Sequence, residues 1–324
     1  MKDSHGRTID YVRISLTDRC NLRCIYCMPE SGVSQISHQQ ILTYDEILRI
    51  CRCLASLGIK KVKLTGGEPL VRRDCAVLLG QLKRIPGIEK VTLTTNGVLL
   101  KENMAALAQA GLDAVNISLD TVDAELFEKI TRRDSLDKVL EGLGEALRFP
   151  QIPVKINSVP VLGDKENLVR TARIAQQYPV HVRFIEMMPI GYGKQFDFWG
   201  EDDVRRILEE TYGPMTPCRE SYGNGPCHYF SIKGFQGKIG FISAMTHKFC
   251  YQCNRVRLTA EGYLKACLQF QTGADLRERL RGGCSDEELT QVIEKVIWDK
   301  PVSHNFNEMK TTLDEQRMMS QIGG

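Results

Sequence analysis

The sequence predicts an α/β fold with a parallel sheet, followed by a smaller C-terminal region. From residue 11 to about residue 210, short β-branched runs alternate with longer amphipathic segments, the pattern of repeated βα units. After about residue 213 the chain becomes irregular and rich in Gly and Pro. We therefore divide the 324 residues into a first domain, 1–212, and a C-terminal region, 213–324.

Six strands and five helices are predicted in the first domain. The strands span 11–16, 61–64, 91–94, 114–119, 154–159 and 182–186. The helices span 44–57, 76–85, 101–110, 136–149 and 168–177. The first helix has the clearest signals, because Thr43 and Glu46 form a capping box and Gly58 follows the last turn. Such strands form either an open doubly wound sheet or most of a barrel, and periodicity does not choose between them.

The C-terminal region is predicted to hold short strands at 229–233 and 239–243 and helices at 276–281 and 287–299. Unusual polar segments follow or close the strands of the first domain, at 18–27, 65–69, 94–97, 118–120 and 186–189. Both candidate architectures place active sites at the carboxyl ends of their strands. We therefore expect these segments to converge on one rim.

The composition indicates a folded protein with a substantial core, at 42% hydrophobic and 26% charged residues. A formal net charge of +3 is too small to indicate a nucleic-acid-binding surface, although a local basic pocket remains possible. We see neither a targeting segment nor a membrane-spanning stretch, and we expect a cytoplasmic protein. Twelve cysteines would stay reduced there, so grouped cysteines indicate metal binding or catalysis.

The first cysteine group is Cys20, Cys24 and Cys27, a C-x₃-C-x₂-C spacing after the first strand. Three neighbouring thiolates suit a soft metal centre. A [4Fe–4S] cube commonly takes four cysteines, so three leave one iron open to a cofactor or substrate. The alternative is a zinc site completed by a distant ligand, which this tight triple fits poorly because zinc favours two separated pairs.

A glycine-rich segment, Thr65 to Pro69 or TGGEP, follows the second strand. Its glycines allow close backbone approach to a ligand, but alone it is also an ordinary βα turn. With Tyr26 before the last cysteine of C-x₃-C-x₂-C, the chain resembles radical S-adenosylmethionine (SAM) enzymes. The resemblance implies that the cluster and the GGEP segment bind SAM, and that a 5′-deoxyadenosyl radical abstracts hydrogen.

The second cysteine group is Cys250, Cys253 and Cys267, a C-x₂-C-x₁₃-C spacing in the C-terminal region. By itself it suits equally a zinc ribbon completed by His247 or Cys227. A first cluster in the same chain favours a second cluster.

The two groups occur with a series of further motifs in a specific order. They are VRISLTDRCNLRCIYCMPE, KLTGGEPLVRRD, LTTNG, NISLD, VKINSV, RFIEMMP and CNRVRLTAEGYLKACL. From about residue 8 to the C-terminus, the chain thereby resembles the GTP 3′,8-cyclase family of molybdenum cofactor biosynthesis. The resemblance implies an incomplete, TIM-like (β/α)₆ barrel, whose open side is closed by a C-terminal region with a second [4Fe–4S] cluster that binds the purine of GTP.

The same resemblance implies a lyase reaction on GTP, the first step of molybdenum cofactor biosynthesis. Hydrogen is removed from C3′ of the ribose, and C3′ then bonds to C8 of guanine, which gives 3′,8-cyclo-7,8-dihydro-GTP. The expected cofactors are SAM and two [4Fe–4S] clusters. The expected partners are GTP, a reductant and the next enzyme of the pathway, without nucleic acid or membrane, and the chain is expected to be a monomer or a homodimer.

Site residues follow from the positions that match the family motifs. SAM contacts correspond to Tyr26, Gly67, Ser118 and Met188. GTP contacts correspond to Arg13, Lys63, Thr94, Lys155, Arg255, Val256 and Arg257, of which Arg13, Arg255 and Arg257 are also the expected catalytic residues. Arginine forks and lysines suit a triphosphate. Better-known family members carry arginine at position 63, so Lys63 keeps the charge and loses the bidentate geometry.

Two other interpretations remain open. A peptide-modifying radical SAM enzyme also carries auxiliary clusters, usually with more cysteines in another spacing, and a zinc-stabilised binding module would use both triplets structurally. The other cysteines are expected to be buried as small hydrophobic residues: Cys51, Cys53, Cys75, Cys218, Cys227 and Cys284. The tail, Gly323 and Gly324, is expected to thread back into the active-site cavity in the manner of the family.

Overall fold

The computed structural model describes residues 1–34, 36–162, 165–197, 199–220, 222–306 and 312–323. The first part of the chain alternates strands and helices: β1 Tyr11–Ser15, α1 Tyr44–Ser56, β2 Lys61–Thr65, α2 Cys75–Lys83, β3 Lys90–Thr95, α3 Leu100–Gln109, β4 Ala114–Ser118, α4 Ala124–Thr131, α5 Leu136–Leu147, β5 Val154–Ser158, α6 Lys165–Gln177, β6 His181–Ile185 and α7 Glu201–Tyr212.

The second part contains shorter strands and further helices: β7 Thr216–Pro217, β8 His228–Ser231, β9 Ile239–Ile242, β10 Arg255–Leu258, β11 Tyr263–Lys265, β12 Gly273–Asp275, α8 Leu276–Arg281, α9 Asp286–Trp298 and α10 Met319–Ile322. None of the helices in the described ranges is long and apolar enough to cross a bilayer.

The strands of the described residues form one 12-stranded sheet in the order β12-β11-β10-β1-β2-β3-β4-β5-β6-β9-β8-β7. Strands β1 to β6 are neighbours in chain order, and each pairs with the next in parallel. A doubly wound sheet would reverse its strand order at a switch point, and this sheet does not. The predicted incomplete barrel is therefore confirmed, and the open doubly wound alternative is wrong.

The C-terminal region extends both edges of this sheet. Strand β10 pairs with β1 in parallel and β9 pairs with β6 in parallel, while the outer strands on each side pair antiparallel. Apolar side chains of both regions belong to the same buried core. The division at residue 212 stays a prediction, since the sheet crosses it without a break.

Alternation along the strands gives the sheet an apolar and a polar face. In β1, the side chains of Val12 and Ile14 are fully buried in the core, and Arg13 between them lines an internal cavity. Successive strand residues point to opposite faces, so the helices cover the apolar face and the barrel interior takes the polar side chains.

Local signals explain the helix boundaries. Helix α1 begins at the predicted capping box, in which the Thr43 side chain accepts from the Glu46 backbone N–H, and Gly58 follows with a φ of 88°. Helices α4 and α7 were not predicted. Helix α4 is only eight residues long, and its signal is Asp123, which caps Leu126 N–H at 3.0 Å.

Candidate active site

A cavity of about 340 Å³ lies inside the curved sheet. Its wall includes both cysteine groups and residues that follow the carboxyl ends of β1 to β6. The polar segments expected to meet at one rim therefore do converge. The cavity also continues down the barrel interior to residues in the middle of the strands, such as Arg13 and Lys63.

The first cysteine loop is fixed against the end of α4. Backbone N–H groups of Arg23 and Ile25 donate to the carbonyls of Thr131 and Ile130, both at 2.9 Å. The next residue, Arg132, has a φ of 56°, and its guanidinium donates to carbonyls of the loop, Arg23 O at 3.0 Å and Met28 O at 3.1 Å. These contacts set the path of the chain through the three cysteines.

The three thiols of this loop face an environment that disfavours their ionisation. Burial raises the pKa of Cys20 to about 11 and that of Cys27 to about 12, and burial followed by the neighbouring Cys27 raises the pKa of Cys24. A cationic iron–sulfur core would offset this cost by binding the thiolates. The donor set of three grouped thiols, on the cavity wall, fits a [4Fe–4S] cluster with one open iron.

Within the described ranges, no three His, Cys, Asp or Glu side chains converge closely enough to hold a single metal ion. A cubane does not require that convergence, because each thiolate binds a different iron.

The TGGEP segment packs directly on the cysteine loop. Gly67 N–H donates to Thr17 O at 2.7 Å, and Glu68 N–H donates to Arg19 O at 2.8 Å. A Cβ on Gly67 would lie 2.4 Å from Arg19 O. Sequence reasoning assigned these glycines to close approach of a ligand; the structure shows in addition that they allow close approach of the cysteine loop.

Glu68 joins this segment to the end of β3. Its carboxylate, only 1% exposed, accepts from Thr95 Oγ1 at 2.7 Å and from Asn96 N–H at 2.6 Å. Burial raises the pKa of Glu68 to about 7 despite these hydrogen bonds. Asn96 in turn donates to Cys20 Sγ at 3.6 Å, so the first cysteine is held from two strands.

The residues expected to contact SAM line the same part of the cavity: Tyr26, Gly67, Ser118 and Met188. Tyr26 is oriented by Asp120, since its hydroxyl donates to Asp120 Oδ2 at 2.8 Å. Asp120 also accepts from Val159 N–H at 2.7 Å, and burial raises its pKa to about 6. Asp120 thus links the cysteine loop to the ends of β4 and β5.

The second cysteine group lies at the other end of β1. In the parallel pair of β1 and β10, Tyr11 is opposite Arg255, so Cys253, two residues earlier, precedes the amino end of β10. The first group follows the carboxyl end of β1, four residues further along the strand, which is roughly 13 Å at ~3.3 Å per residue. The two groups therefore face the cavity from opposite ends of one strand pair.

Cations surround the second group. Although burial alone would raise it, the charges of Arg255 and then Lys300 bring the pKa of Cys253 down to about 6. Cys250 Sγ accepts from His304 N–H at 3.4 Å, yet burial keeps its pKa above the ordinary value. Cys267 follows β11, whose antiparallel pairing with β10 returns the chain to the level of Cys253.

Besides Lys300, five basic side chains line the cavity: Arg13, Lys63, Arg183, Arg255 and Arg257. The sheet register sets three of them side by side, with Arg13 opposite both Lys63 and Arg257. Burial, then repulsion from Arg183 and Arg13, lowers the pKa of Lys63 well below its ordinary value. Burial, followed by repulsion from Arg13, likewise lowers the pKa of Arg257 well below its ordinary value. Such a row favours a dense anion as its partner.

The C-terminal segment also reaches this cavity. Met319 and Ser320 lie on its wall, and Gly323 O accepts from Arg257 Nη1 at 2.8 Å. The segment is anchored by an ion pair between Lys265 and Glu315, whose side chains are 0% and 1% exposed. Gly324 lies outside the described residues.

Comparison with known proteins identifies relatives of this chain. Residues 14–175 match the model of the Radical SAM superfamily, and residues 180–306 match that of Molybdenum Cofactor Synthesis C. A GTP 3′,8-cyclase of Clostridium perfringens (strain SM101 / Type A) is 47% identical over 326 residues, which cover 100% of both chains. Proteins of the same name from Syntrophomonas wolfei and Heliobacterium modesticaldum are 45% and 44% identical, again over 100% of each chain. The chain belongs to the GTP 3′,8-cyclase family.

Solved structures show the shared fold of this family and more distant radical SAM enzymes. Streptococcus suis SuiB bound to S-adenosylmethionine matches with a TM-score of 0.65 and 17% identity, over 91% of this chain and 67% of the SuiB chain. SuiB bound to the precursor peptide SuiA matches with a TM-score of 0.64 and 15% identity. At such identity the likeness concerns the fold alone, so it does not favour the peptide-modifying interpretation.

Family membership confirms the expected resemblance and the enzymatic interpretation, including a radical SAM enzyme with a [4Fe–4S] cluster and SAM. The non-catalytic zinc module is therefore wrong for the chain as a whole.

The cavity of this family member contains most of the site residues expected from the sequence. Both cysteine groups, the four SAM candidates and the GTP candidates Arg13, Lys63, Thr94, Arg255 and Arg257 lie on its wall. Lys155 and Val256 are not among its lining residues. Val256 is fully buried in the core because it alternates with Arg255 and Arg257 along β10. Lys155 is 5% exposed, and burial followed by the charge of Arg183 lowers its pKa to about 8.

Sequence reasoning missed several residues of this cavity. Arg183 lines it and donates to Asn157 Oδ1 at 2.5 Å. The sequence signal for Arg183 is a charged residue inside the otherwise apolar strand of the RFIEMMP motif. The motif by itself does not single out this residue. Of the cysteines outside the two groups, Cys51, Cys53 and Cys75 are buried as expected, whereas the half-exposed Cys227 lies on the cavity wall.

Proposed function

We propose that this chain converts GTP into 3′,8-cyclo-7,8-dihydro-GTP by radical chemistry, with a [4Fe–4S] cluster at each end of one cavity. The observation that carries the proposal is the placement of two incomplete cysteine sets on the wall of that cavity, with buried cations between them. One set suits SAM binding and the other suits a second cluster whose open iron takes the purine.

Cys20, Cys24 and Cys27 would hold the first cluster, and Tyr26, Gly67, Ser118 and Met188 would contact SAM. When bound, this cluster and SAM supply the one-electron chemistry that removes a hydrogen atom from the ribose. The protein contributes a fixed geometry: the hydrogen bond from Tyr26 to Asp120 and the packing of Gly67 on the cysteine loop hold these residues in place.

The basic residues between the clusters would bind the triphosphate. Arg13, Lys63 and Arg257 are directly adjacent on neighbouring strands, and burial, together with neighbouring positive charges, lowers the pKa of each. A triphosphate brings several negative charges and relieves their mutual repulsion. Arg183 adds a further guanidinium to this row, and Arg255 connects it to the second cysteine group.

Enclosure is the other contribution of the protein. A carbon radical reacts with whatever it meets, so the ribose must be held close to its reaction partner and away from water. The purine of GTP would bind the cluster held by Cys250, Cys253 and Cys267, and the phosphates would bind the basic row. Both ends of the substrate would then be fixed. Arg13, Arg255 and Arg257 are the proposed catalytic residues because they line the space between the two cysteine groups.

The remaining partners belong to the same proposal. A cellular reductant would supply two electrons, one for SAM cleavage and one that, with a proton, reduces the cyclised nucleotide radical. The product would pass to the next enzyme of the molybdenum cofactor pathway in the cytoplasm, where cysteines stay reduced. The tail, Gly323 with Gly324, would contribute through the contact between Gly323 and Arg257. The proposal takes the chain as a monomer or a homodimer.

The test is to incubate the anaerobically reconstituted protein with SAM, GTP and dithionite and to measure 5′-deoxyadenosine and the cyclised nucleotide. We expect both to form with GTP, and neither to form with ATP in place of GTP. Production of 5′-deoxyadenosine at the same rate with and without GTP, and with no cyclised product, would refute the assigned substrate.

The phosphate role of Lys63 has a test of its own. Lys63→Met should raise the KM for GTP at least tenfold, since one buried cation of the row is lost, while Lys63→Arg should stay within threefold of the parent. Lys60→Met is the matched control, because Lys60 is an exposed lysine that precedes the same strand and pairs with Glu89. An unchanged KM in Lys63→Met would exclude this residue from the phosphate site.

A further inference from the structure

A buried lysine lies next to the second cysteine group. Lys300 follows α9, is 3% exposed, and lines the cavity. Its ammonium donates to Arg255 O at 2.8 Å and to Ala266 O. Among the described residues it forms no ion pair.

Such a position is unfavourable unless a negative charge is supplied. Removing an ammonium from water costs several kcal/mol, of the order seen for buried ions, and carbonyl dipoles recover only part of this cost. Buried lysines in folded proteins are accordingly paired, as Lys265 is with Glu315 in this chain. None of the carboxylates in the described residues supplies this charge to Lys300, whereas a cluster bound by the neighbouring cysteines would.

The two carbonyls bound by Lys300 belong to the segments that carry the cysteines. Arg255 is two residues after Cys253, and Ala266 directly precedes Cys267. The ammonium therefore joins the two strands of the β10–β11 hairpin at the level of the cysteine group.

Arg7 links the backbone that follows Lys300 to Cys250, the remaining cysteine of the group. The buried guanidinium of Arg7 donates to Cys250 O at 2.9 Å, to Pro301 O at 2.7 Å and to Val302 O at 2.8 Å. Arg7 is itself paired with Asp3, with Nε 2.6 Å from Oδ2. The position of Lys300 relative to all three cysteines is thus set by direct hydrogen bonds.

We propose that Lys300 is a positioning residue for the C-terminal cluster: its ammonium is the counter-cation of that cluster and joins the segments of Cys253 and Cys267. This inference rests on the proposed function, which assigns a [4Fe–4S] cluster to Cys250, Cys253 and Cys267. Three thiolates outweigh the two positive charges of an oxidised cube, and reduction adds one more negative charge. A fixed cation beside the cluster therefore stabilises the reduced form and raises its reduction potential.

The test isolates the C-terminal cluster in the full chain. Cys20, Cys24 and Cys27 are replaced by alanine, the protein is reconstituted anaerobically with iron and sulfide, and the cluster is titrated with dithionite and redox mediators. Electron paramagnetic resonance of the reduced cluster and iron content are the measurements. Lys300→Met, Lys300→Gln and Lys300→Arg are compared in this parent, with Lys295→Met, an exposed lysine of α9, as the control for net charge.

We expect Lys300→Met and Lys300→Gln to lower the ratio of reduced to oxidised cluster at least tenfold at a fixed potential, which is a shift of 59 mV for a one-electron couple. Lys300→Arg and Lys295→Met should stay within threefold of the parent. Loss of the cluster in both neutral variants, with iron retained in Lys300→Arg and circular dichroism unchanged, equally supports the role of the charge.

Two results would overturn the inference: a neutral variant with the parent's potential and full iron content, or cluster loss in Lys300→Arg equal to that in the neutral variants. If Lys300→Met does not fold, Lys300→Gln is judged by the same criteria. If all three variants misfold, including Lys300→Arg, then Lys300 serves the fold alone. A parent that binds no iron at all would instead contradict the second cluster of the proposed function.

Discussion

Gly67→Ala should weaken binding of the first cluster, because the new methyl group collides with the backbone just before Cys20. The added Cβ would lie 2.4 Å from Arg19 O and 2.6 Å from Asp18 O, where ordinary contacts begin near 3.4 Å. The two segments must therefore separate by about an ångström, an overpacking that costs about 1–3 kcal/mol. Separation also strains the hydrogen bond from Glu68 N–H to Arg19 O, one residue before Cys20.

The assay uses protein in which Cys250, Cys253 and Cys267 are alanine, so that all bound iron belongs to the first group. Iron per chain after gel filtration should fall at least twofold in Gly67→Ala, and the free energy of unfolding in urea should fall by about 2 kcal/mol. Gly144→Ala is the matched control, because a Cβ at this exposed position of α5 meets nothing within 4 Å. Unchanged iron and a loss below about 0.5 kcal/mol in Gly67→Ala would show that the close packing of the two loops does not hold the cysteines in place.

Three further changes test other supports of the site. Arg132→Ala removes two hydrogen bonds to carbonyls of the first cysteine loop, and it should lower the free energy of unfolding by about 1–3 kcal/mol and reduce iron binding. Lys129→Ala, an exposed change in the preceding helix α4, should alter neither quantity. Glu315→Gln leaves Lys265 buried without its counter-charge and should lower the free energy of unfolding by about 3–5 kcal/mol. Proteolysis of the chain after residue 306 should also become faster. Protease resistance equal to that of the parent would contradict the role of this ion pair as an anchor. Burial lowers the pKa of His181 to about 4, so its contribution to stability should be lost as pH falls from about 6.5 towards 4, and its ring resonances should keep their neutral positions at pH 5.5.

The sequence was sufficient for the barrel strands because each is a short apolar run between turn signals. All six of the predicted strands agree with β1 to β6 within about two residues. Strands β11 and β12 were missed for a different reason. They are three residues each and gain their hydrogen bonds from β10, which is itself placed by pairing with β1 more than 240 residues earlier. Such pairing leaves no local pattern.

The residues of the candidate site also differ in how far the local sequence predicts them. The cysteines could be found from their spacing, since two or three of them recur within a few residues in each group, although Cys267 is brought to its group by the β10–β11 hairpin. Arg183 and Lys300 could not, because each is a single basic residue whose importance depends on what other segments place beside it. For two residues that the motifs indicate, the side chain is not on the wall of the cavity: alternation along β10 turns Val256 into the core, and Lys155 is buried although it shares its strand face with the cavity-lining Asn157.

The register between β1 and β10 is itself part of the site. It sets Arg13 opposite Arg257 and aligns the amino end of β10, which follows Cys253, with Tyr11. A slip of one residue would turn Val256 into the cavity and Arg255 and Arg257 into the apolar core, where neither cation has a partner. The same slip would displace Cys253 along the barrel relative to Cys20. Because burying arginines is so costly, the apolar face of the sheet enforces the spacing between the two cysteine groups, and the core of the fold thereby determines the length of substrate that fits between them.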